Sequence, residues 1–214
     1  MEKKNKKALV WGASLLAAFV LWTVFVRFVD VQAIGPEGSS VGFATLNCYV
    51  HDLTGENMSL YVITDWLGLV PIGTAFGFAV LGLVQWIKRK SLLKVDRSIL
   101  ILGGFYILVM TAYVFFEIVV INYRPILING YLEASYPSST TMLVLCVMPT
   151  AMMQFSKRIK NDLLRRCVML IIIAFIVFMV IGRLVSGVHW ITDIIGGALF
   201  STSIVLIYYS IGMV

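Results

Sequence analysis

Six long apolar stretches constrain the fold of this chain more than any other feature. They cover approximately residues 8–29, 60–87, 99–121, 140–155, 167–185 and 191–214, and the fourth is the shortest. A helix needs about twenty apolar residues to cross the hydrocarbon core of a bilayer, and 60% hydrophobic with 13% charged residues is far from a soluble globular composition. The sequence therefore predicts an all-α fold, a polytopic membrane protein built as a bundle of six transmembrane helices. No internal repeat is evident, so residues 1–214 are expected to form one membrane-embedded domain.

The basic residues predict how this bundle lies in the membrane. Fourteen of the 17 Lys and Arg residues fall in three clusters, within residues 3–7, 88–97 and 157–166. If six helices alternate in direction, all three clusters and both termini lie on one side, which the positive-inside rule assigns to the cytoplasmic face of the plasma membrane. The membrane topology then explains the net charge of +6, so this charge does not indicate a nucleic-acid partner. The expected partners are membrane lipids, whose anionic headgroups attract such clusters.

The longest connection, about residues 30–59, lies on the outer side in this topology. It combines turn residues in the segment GPEGSS with a partly apolar segment, VGFATLNCYV. The apolar segment is expected to form a short amphipathic helix along the membrane interface. We consider this loop a candidate lid over the outer face.

Most of the remaining polar residues lie at the outer ends of the helices. They are Arg124, Ser138, Ser139, Thr140, Thr141, Arg183, His189 and Asp193. Two arginines facing a helix N-terminus can hold a phosphate, because guanidinium groups donate forked hydrogen bonds and the first N–H groups of a helix are free. Ser138 or Ser139 is the expected N-cap of that helix. Each feature alone has an ordinary explanation, such as a surface ion pair or a simple cap, so the prediction depends on their combination.

His189 and Asp193 are four residues apart, which places them on one face if both are helical. In that arrangement the carboxylate accepts a hydrogen bond from the N–H of one ring nitrogen and leaves the other nitrogen as a nucleophile or base. The alternative is an interface histidine followed by a capping aspartate. Together with the two arginines, the pair predicts a phosphate pocket that contains a nucleophile.

In these segments the chain resembles the type 2 phosphatidic acid phosphatases, also called the PAP2 or lipid phosphatase and haloperoxidase superfamily. That family has Lys-x6-Arg-Pro, then Pro-Ser-Gly-His, then Ser-Arg-x5-His-x3-Asp, on a six-helix membrane bundle with its site at the outer face. The matching segments are EIVVINYRP at residues 117–125, PSST at 137–140 and GRLVSGVHWITD at 182–193. The resemblance implies the same bundle and the same class of site here.

The resemblance also implies a role for each matching residue. The phosphate cradle would consist of Arg124, Ser138, Ser139, Thr140 and Arg183. His189 would attack phosphorus to form a phosphohistidine, and Asp193 would hold the tautomer of the ring. Water would then release phosphate, with no metal and no other cofactor, and the implied partner is a phosphorylated lipid.

Four positions depart from the family pattern. Glu117 replaces the family's Lys, Ser139 its Gly, Thr140 its second His and Gly182 its Ser. The second His is the family's general acid, a type of group that contributes roughly 10²- to 10⁴-fold to a rate. His51 in the outer loop and Glu117 are the candidate substitute acids.

The absence of this acid limits the range of substrates that we expect. An alkoxide leaving group needs a proton, because its conjugate acid is about as weak an acid as water. A phosphate leaving group, with a second pKa of about 6, departs with little help. We therefore predict a lipid phosphatase whose best substrate is a polyprenyl pyrophosphate such as the undecaprenyl carrier of bacterial wall synthesis. The alternatives are a catalytically impaired relative that binds or moves phosphorylated lipids, and a phosphatidic acid or phosphatidylglycerophosphate phosphatase.

Overall fold

A computed structural model describes residues 2–212, and in this range the chain forms eight α-helices and no β-strand. The helices are α1 (Glu2–Phe28), α2 (Ala44–Thr54), α3 (Met58–Leu67), α4 (Leu69–Arg89), α5 (Arg97–Ile118), α6 (Ser139–Arg158), α7 (Asp162–Val185) and α8 (Ile191–Gly212). Six segments of the described residues are long and apolar enough to cross a membrane: α1, α3 with α4, α5, α6, α7 and α8. The prediction of an all-α bundle with six spans is confirmed.

The second span differs from the single helix expected over residues 60–87, because it is divided into α3 and α4 at Gly68. Pro71 explains the break: its ring has no N–H to donate to the carbonyl of Leu67, four residues earlier, and clashes with that carbonyl. The 21 residues of α4 give a length of about 31 Å, which is enough to cross the hydrocarbon core without α3. The short helix α3 is therefore free to pack against α7.

Helices α6 and α8 form the centre of the bundle. Half of each apolar span is buried, against 11% to 22% for the other four spans. Their packing includes aromatic contacts in which Phe19 of α1 stacks on Tyr136 and lies against Phe200 of α8. The most tightly packed helices are thus the two whose N-terminal ends carry the predicted serines and aspartate.

A small antiparallel hairpin connects α5 to α6. Ile128 and Tyr131 exchange two backbone hydrogen bonds, of 3.1 and 2.9 Å, across Asn129 and Gly130. Both turn residues have positive φ, 53° and 81°, as expected for an Asn-Gly pair in a two-residue hairpin turn. The hairpin sets the register of the segment that carries Arg124.

The loop of residues 30–59 contains α2, in the segment expected to form a short helix. Nδ2 of Asn47 donates to Oγ1 of Thr192 at 3.0 Å, and its Oδ1 accepts the Thr192 backbone N–H at 3.3 Å. Asn47 is fully buried. These bonds attach α2 to the first turn of α8.

Candidate active site

A cavity of about 940 Å³ lies between α3, the end of α5, the hairpin, the start of α6 and the end of α7. Its polar lining comprises Tyr61, Asp65, Tyr113, Glu117, Tyr123, Arg124, Glu133, Ser139, Thr140 and Arg183. Five of these were predicted from the sequence, and segments far apart in the chain bring them to one cavity. Within residues 2–212, no three His, Cys, Asp or Glu side chains are grouped to hold a metal ion.

Arg183 lies in the last turn of α7 and is only 1% exposed. Its Nη2 donates to Nε2 of His189 at 3.1 Å, and its Nη1 lies 3.7 Å from Oδ1 of Asp65. Among the described residues, Nη1 has no hydrogen-bond partner. A buried guanidinium with an unused donor beside a cavity is suited to bind an anion, because such donors are rarely left unpaired.

Arg124 lies on the hairpin, opposite Glu133. Its backbone N–H donates to the Glu133 carbonyl at 3.1 Å, and its Nε lies 3.1 Å from Oε2 of Glu133. Its Nη1 also has no hydrogen-bond partner within the described range. The ring of Tyr61 faces both guanidinium groups, with its centroid 6.0 Å from Cζ of Arg124 and 5.0 Å from that of Arg183. One aromatic ring therefore orients both arginines through cation–π contacts.

His189 lies behind Arg183, is 3% exposed and is absent from the residues that line the cavity. It precedes α8, which begins at Ile191, so the helical pairing with Asp193 expected from their spacing does not form. Nδ1 of His189 lies 3.8 Å from Oδ2 of Asp193, beyond hydrogen-bond distance. Oδ2 of Asp193 instead accepts the backbone N–H of Trp190 at 2.9 Å, which turns the carboxylate toward the start of the helix.

A serine outside the family motif occupies the gap between these two side chains. Oγ of Ser135 lies 3.0 Å from Nδ1 of His189 and 2.5 Å from Oδ2 of Asp193. The backbone N–H of Ser135 donates to the carbonyl of Asn122 at 2.9 Å. The hairpin register therefore determines where this hydroxyl lies.

The surroundings of His189 favour its neutral form. Burial, and then the positive charges of Arg124 and Arg183, hold the pKa of His189 well below its usual value of about 6.5. The ring is therefore neutral at pH 7, which is the state in which a ring nitrogen has a lone pair to attack an electrophile.

Ser138 is the N-cap of α6, and its Oγ accepts the backbone N–H of Thr141 at 3.5 Å. Its own N–H donates to the carbonyl of Asp193 at 3.1 Å, which joins the starts of α6 and α8. Ser138 is fully buried and is not part of the cavity lining, whereas the next two residues, Ser139 and Thr140, are.

The two candidate substitute acids differ in position. Glu117 lines the cavity, but His51 does not: its Nε2 donates to the carbonyl of Gly187 at 3.1 Å, and its ring packs on Trp190 with centroids 5.5 Å apart. No residue of the loop 30–59, the candidate lid, lines the cavity either. Gly187 has φ of +71°, and a Cβ there would lie 2.1 Å from the carbonyl oxygen of Gly55. The loop of residues 30–59 is thus packed tightly against the segment that leads to His189.

Sequence reasoning missed Tyr61, Asp65 and Ser135. Asp65 is the one charged residue in the apolar stretch 60–87, and charged residues in such stretches usually face a protein interior or cavity. That signal was therefore present, and Tyr61 lies one helical turn before it. Ser135 had no comparable signal, because only the fold brings it to His189.

The departure at Gly182 has a steric explanation. A Cβ at this position would lie 2.8 Å from Cγ2 of Thr64 on α3. The close packing of α3 on α7 therefore uses the space that the family's serine would occupy.

Comparisons with known proteins agree with this architecture. The crystal structure of the first transmembrane PAP2 type phosphatidylglycerolphosphate phosphatase from Bacillus subtilis is similar to this chain, with a TM-score of 0.52, 20% sequence identity and 94% coverage of both chains. At this identity the likeness concerns the fold. No curated protein matches the sequence. The sequence model of the PAP2 superfamily matches residues 105–213, slightly more than half of the chain. The chain is an integral membrane protein of the PAP2 superfamily.

Proposed function

We propose that this protein is a lipid phosphatase that releases phosphate from a polyprenyl pyrophosphate, such as an undecaprenyl pyrophosphate, through a phosphohistidine on His189. The observation that carries the proposal is the pair of buried arginines at the cavity. Arg124 and Arg183 each have an Nη1 without a hydrogen-bond partner in the described structure, and a neutral imidazole lies directly behind Arg183.

In this mechanism the terminal phosphate accepts hydrogen bonds from both guanidinium groups, which stabilise its charge in the trigonal-bipyramidal transition state. Nη2 of Arg183 moves from Nε2 of His189 to a phosphate oxygen and frees the ring lone pair. Nε2 then bonds to phosphorus while the bridging P–O bond breaks, and the lipid leaves as its monophosphate. Water next attacks the phosphohistidine, releases inorganic phosphate and regenerates the ring.

An apolar groove supports a lipid substrate. It has a volume of about 1050 Å³, lies between α4 and α5, and shares Ile72 and Met110 with the cavity. It follows α4 from Ile72 to Trp86, which is about 21 Å at 1.5 Å per residue. Its lining residues are all uncharged. This arrangement suits a phosphorylated lipid, because its head group would lie in the polar cavity and its hydrocarbon chain in the apolar groove.

The choice of a pyrophosphate follows from the residues that line the cavity. Thr140 lies where the family has an imidazole acid, and neither His51 nor His189 is in the described lining. Without such an acid, loss of an alkoxide is slower by roughly 10²- to 10⁴-fold, whereas a phosphate leaves unaided. The Bacillus subtilis neighbour is a phosphatidylglycerolphosphate phosphatase, and lipids of that class are the competing substrates.

One observation favours the binding-only alternative. The cavity wall carries three carboxyl groups, those of Asp65, Glu117 and Glu133, beside only two guanidinium groups. Carboxylates oppose the negative charge that develops at the leaving oxygen in the transition state, and a protein that only bound or moved lipids would not have to stabilise that charge.

We also propose that the cavity faces the outer side of the plasma membrane, with both termini cytoplasmic. The support is the position of the three basic clusters. They lie at the start of α1, between α4 and α5 and between α6 and α7, which in an alternating bundle is the end opposite the cavity.

The test is phosphate release by purified protein from undecaprenyl pyrophosphate, undecaprenyl monophosphate, phosphatidic acid and phosphatidylglycerophosphate. We expect the pyrophosphate to be hydrolysed fastest, with no turnover by His189→Ala, strongly reduced turnover by Asp193→Asn, and inhibition by vanadate, a mimic of five-coordinate phosphorus. A chelator should leave the rate unchanged. Wild-type turnover in His189→Ala would exclude the phosphohistidine, and lipid binding without turnover would favour the alternative.

A further inference from the structure

Asp193 and His189 interact through a third side chain. Their nearest side-chain atoms, Oδ2 and Nδ1, are 3.8 Å apart, and Oγ of Ser135 lies between them at 2.5 and 3.0 Å. We infer that Ser135 is a positioning residue, which transmits the orienting effect of Asp193 to His189 as a hydrogen-bonded relay. The inference deepens the proposed function and rests on it for its catalytic consequence.

The hydrogen bonds around the ring can be assigned a single direction. A guanidinium group can only donate, so Nε2 of His189 must be the acceptor of the 3.1 Å bond from Arg183. A neutral ring that accepts at Nε2 carries its proton on Nδ1. That proton points to Oγ of Ser135, and the serine's own hydroxyl proton is then available to Oδ2 of Asp193.

Ser135 is held in place for this role. It is 2% exposed, its backbone N–H is bonded to the Asn122 carbonyl, and the next residue, Tyr136, is buried with its hydroxyl 2.7 Å from Oγ1 of Thr23. Asp193 is held as well, by the backbone N–H of Trp190. Neither end of the relay can change its position without breaking buried hydrogen bonds, which is costly.

The consequence for the reaction is orientation and charge stabilisation. When Nε2 bonds to phosphorus, the ring becomes positively charged and its Nδ1–H becomes a stronger donor. Ser135 accepts that hydrogen bond and passes the polarisation to the Asp193 carboxylate. Phosphate binding is left to Arg124 and Arg183, so the relay affects the chemical step more than substrate affinity.

The experiment compares Ser135→Ala with Ser135→Thr and with Ser203→Ala. Ser203 is a matched control, because it is equally buried and its hydroxyl bonds only to the Phe200 carbonyl of its own helix, at 2.7 Å. We expect Ser135→Ala to lower kcat for the lipid pyrophosphate by about 10- to 100-fold, as removal of groups that orient a ligating imidazole does, with KM within about twofold. Ser135→Thr, which retains the hydroxyl, should recover most of kcat.

A second readout does not need turnover. The chain has two histidines, so nitrogen-15 histidine labelling in a His51→Gln background leaves His189 alone in the spectrum. We expect a hydrogen-bonded, slowly exchanging Nδ1–H proton, which shifts upfield and exchanges faster in Ser135→Ala but not in Ser203→Ala. An unchanged Nδ1–H signal in Ser135→Ala would overturn the relay, and so would wild-type kcat. If the wild-type protein has no turnover, the proposed function fails while the spectrum still decides the relay.

Discussion

Nη2 of Arg183 lies 3.1 Å from Nε2 of His189, so the guanidinium to which we assign phosphate binding is hydrogen-bonded to the nitrogen to which we assign the attack. In the proposed mechanism, a phosphate has to draw this guanidinium away before the ring can react. Arg183→Lys keeps the charge but loses the fork that reaches both His189 and an oxygen anion. We expect kcat/KM to fall about 10- to 100-fold, the equivalent of one charged hydrogen bond of roughly 1.5 to 3 kcal/mol.

Arg27→Lys is the control for this change. Arg27 is exposed, and its Nη1 donates only to the Ile121 carbonyl, at 3.4 Å, without lining the cavity. Its substitution should leave kcat/KM within about twofold. Equal rates for Arg183→Lys and wild type would show that the guanidinium fork is not used.

The burial of His189 predicts how stability depends on pH. Its pKa in the folded protein lies well below its unfolded value of about 6.5, so below pH 6.5 the unfolded state binds a proton that the folded state does not. Unfolding therefore becomes easier as the pH falls from about 6.5 toward the folded pKa. His189→Gln removes this contribution.

The measurement is thermal unfolding in detergent between pH 5 and 8. The loss of Tm on the acidic side should be smaller in His189→Gln than in wild type or in His51→Gln. Identical acid slopes in wild type and His189→Gln would mean that His189 is charged in the folded protein.

The sequence predicted the helices well because an apolar stretch of sufficient length is a local property. It did not predict the break at Gly68, since average hydropathy does not register that Pro71 removes one backbone donor. The pair Asn129–Gly130 is a local signal for a hairpin turn, but hydropathy alone predicts only a loop between two spans at this place.

The site was predictable only where its residues lie in the family pattern. Arg124, Arg183 and Thr140 were assigned to one cavity and do line one. The direct pairing of His189 with Asp193 was not found, because four-residue spacing predicts a shared face only inside a helix and α8 begins after His189. Ser135 contacts His189 and Asp193, which are 54 and 58 residues away in the sequence. Such contacts depend on the tertiary fold, and the spacing of residues within a motif does not predict them.

Glu117 gives a prediction about charge, because it lines the cavity where the family has Lys. A unit charge about 10 Å away, in a medium with an effective dielectric constant of about 20, changes the energy of an anion by roughly 1.7 kcal/mol, or somewhat more than tenfold in affinity. Glu117→Gln should therefore tighten vanadate inhibition about tenfold, and Glu117→Lys further. Weaker inhibition in both variants would instead indicate that Glu117 is protonated and donates a hydrogen bond to the anion.

The topology prediction can be checked with a membrane-impermeant thiol reagent on intact cells. In a background without Cys48, Cys146 and Cys167, a cysteine at Tyr131, which is 74% exposed on the hairpin, should be labelled. A cysteine at Lys160, between α6 and α7, should be labelled only after the cells are opened. Labelling at Lys160 in intact cells would reverse the orientation.

The last prediction concerns Thr140, which lies beside Ser139 at the start of α6 and lines the cavity. Its hydroxyl is too weak an acid to replace an imidazole, so the wild-type protein should hydrolyse pyrophosphate lipids far faster than monophosphates of the same chain. Thr140→His should raise monophosphate turnover by up to about 10²- to 10⁴-fold and pyrophosphate turnover much less. Ser139→Gly is tested with it, because the family has Gly beside the imidazole and the serine side chain occupies space at that position.

Rates of phosphate release from undecaprenyl pyrophosphate and undecaprenyl monophosphate, for wild type, Thr140→His, Ser139→Gly and the double variant, decide between the explanations. Thr140→Ser serves as the control, since it retains a hydroxyl and adds no acid. Equal wild-type rates on the two lipids would show that another group already donates the proton, and Glu117, which shares the cavity with Thr140, is then the first residue to substitute. If no variant shows turnover, the missing acid alone does not explain the lack of activity. That result would favour a protein that binds phosphorylated lipids without hydrolysing them.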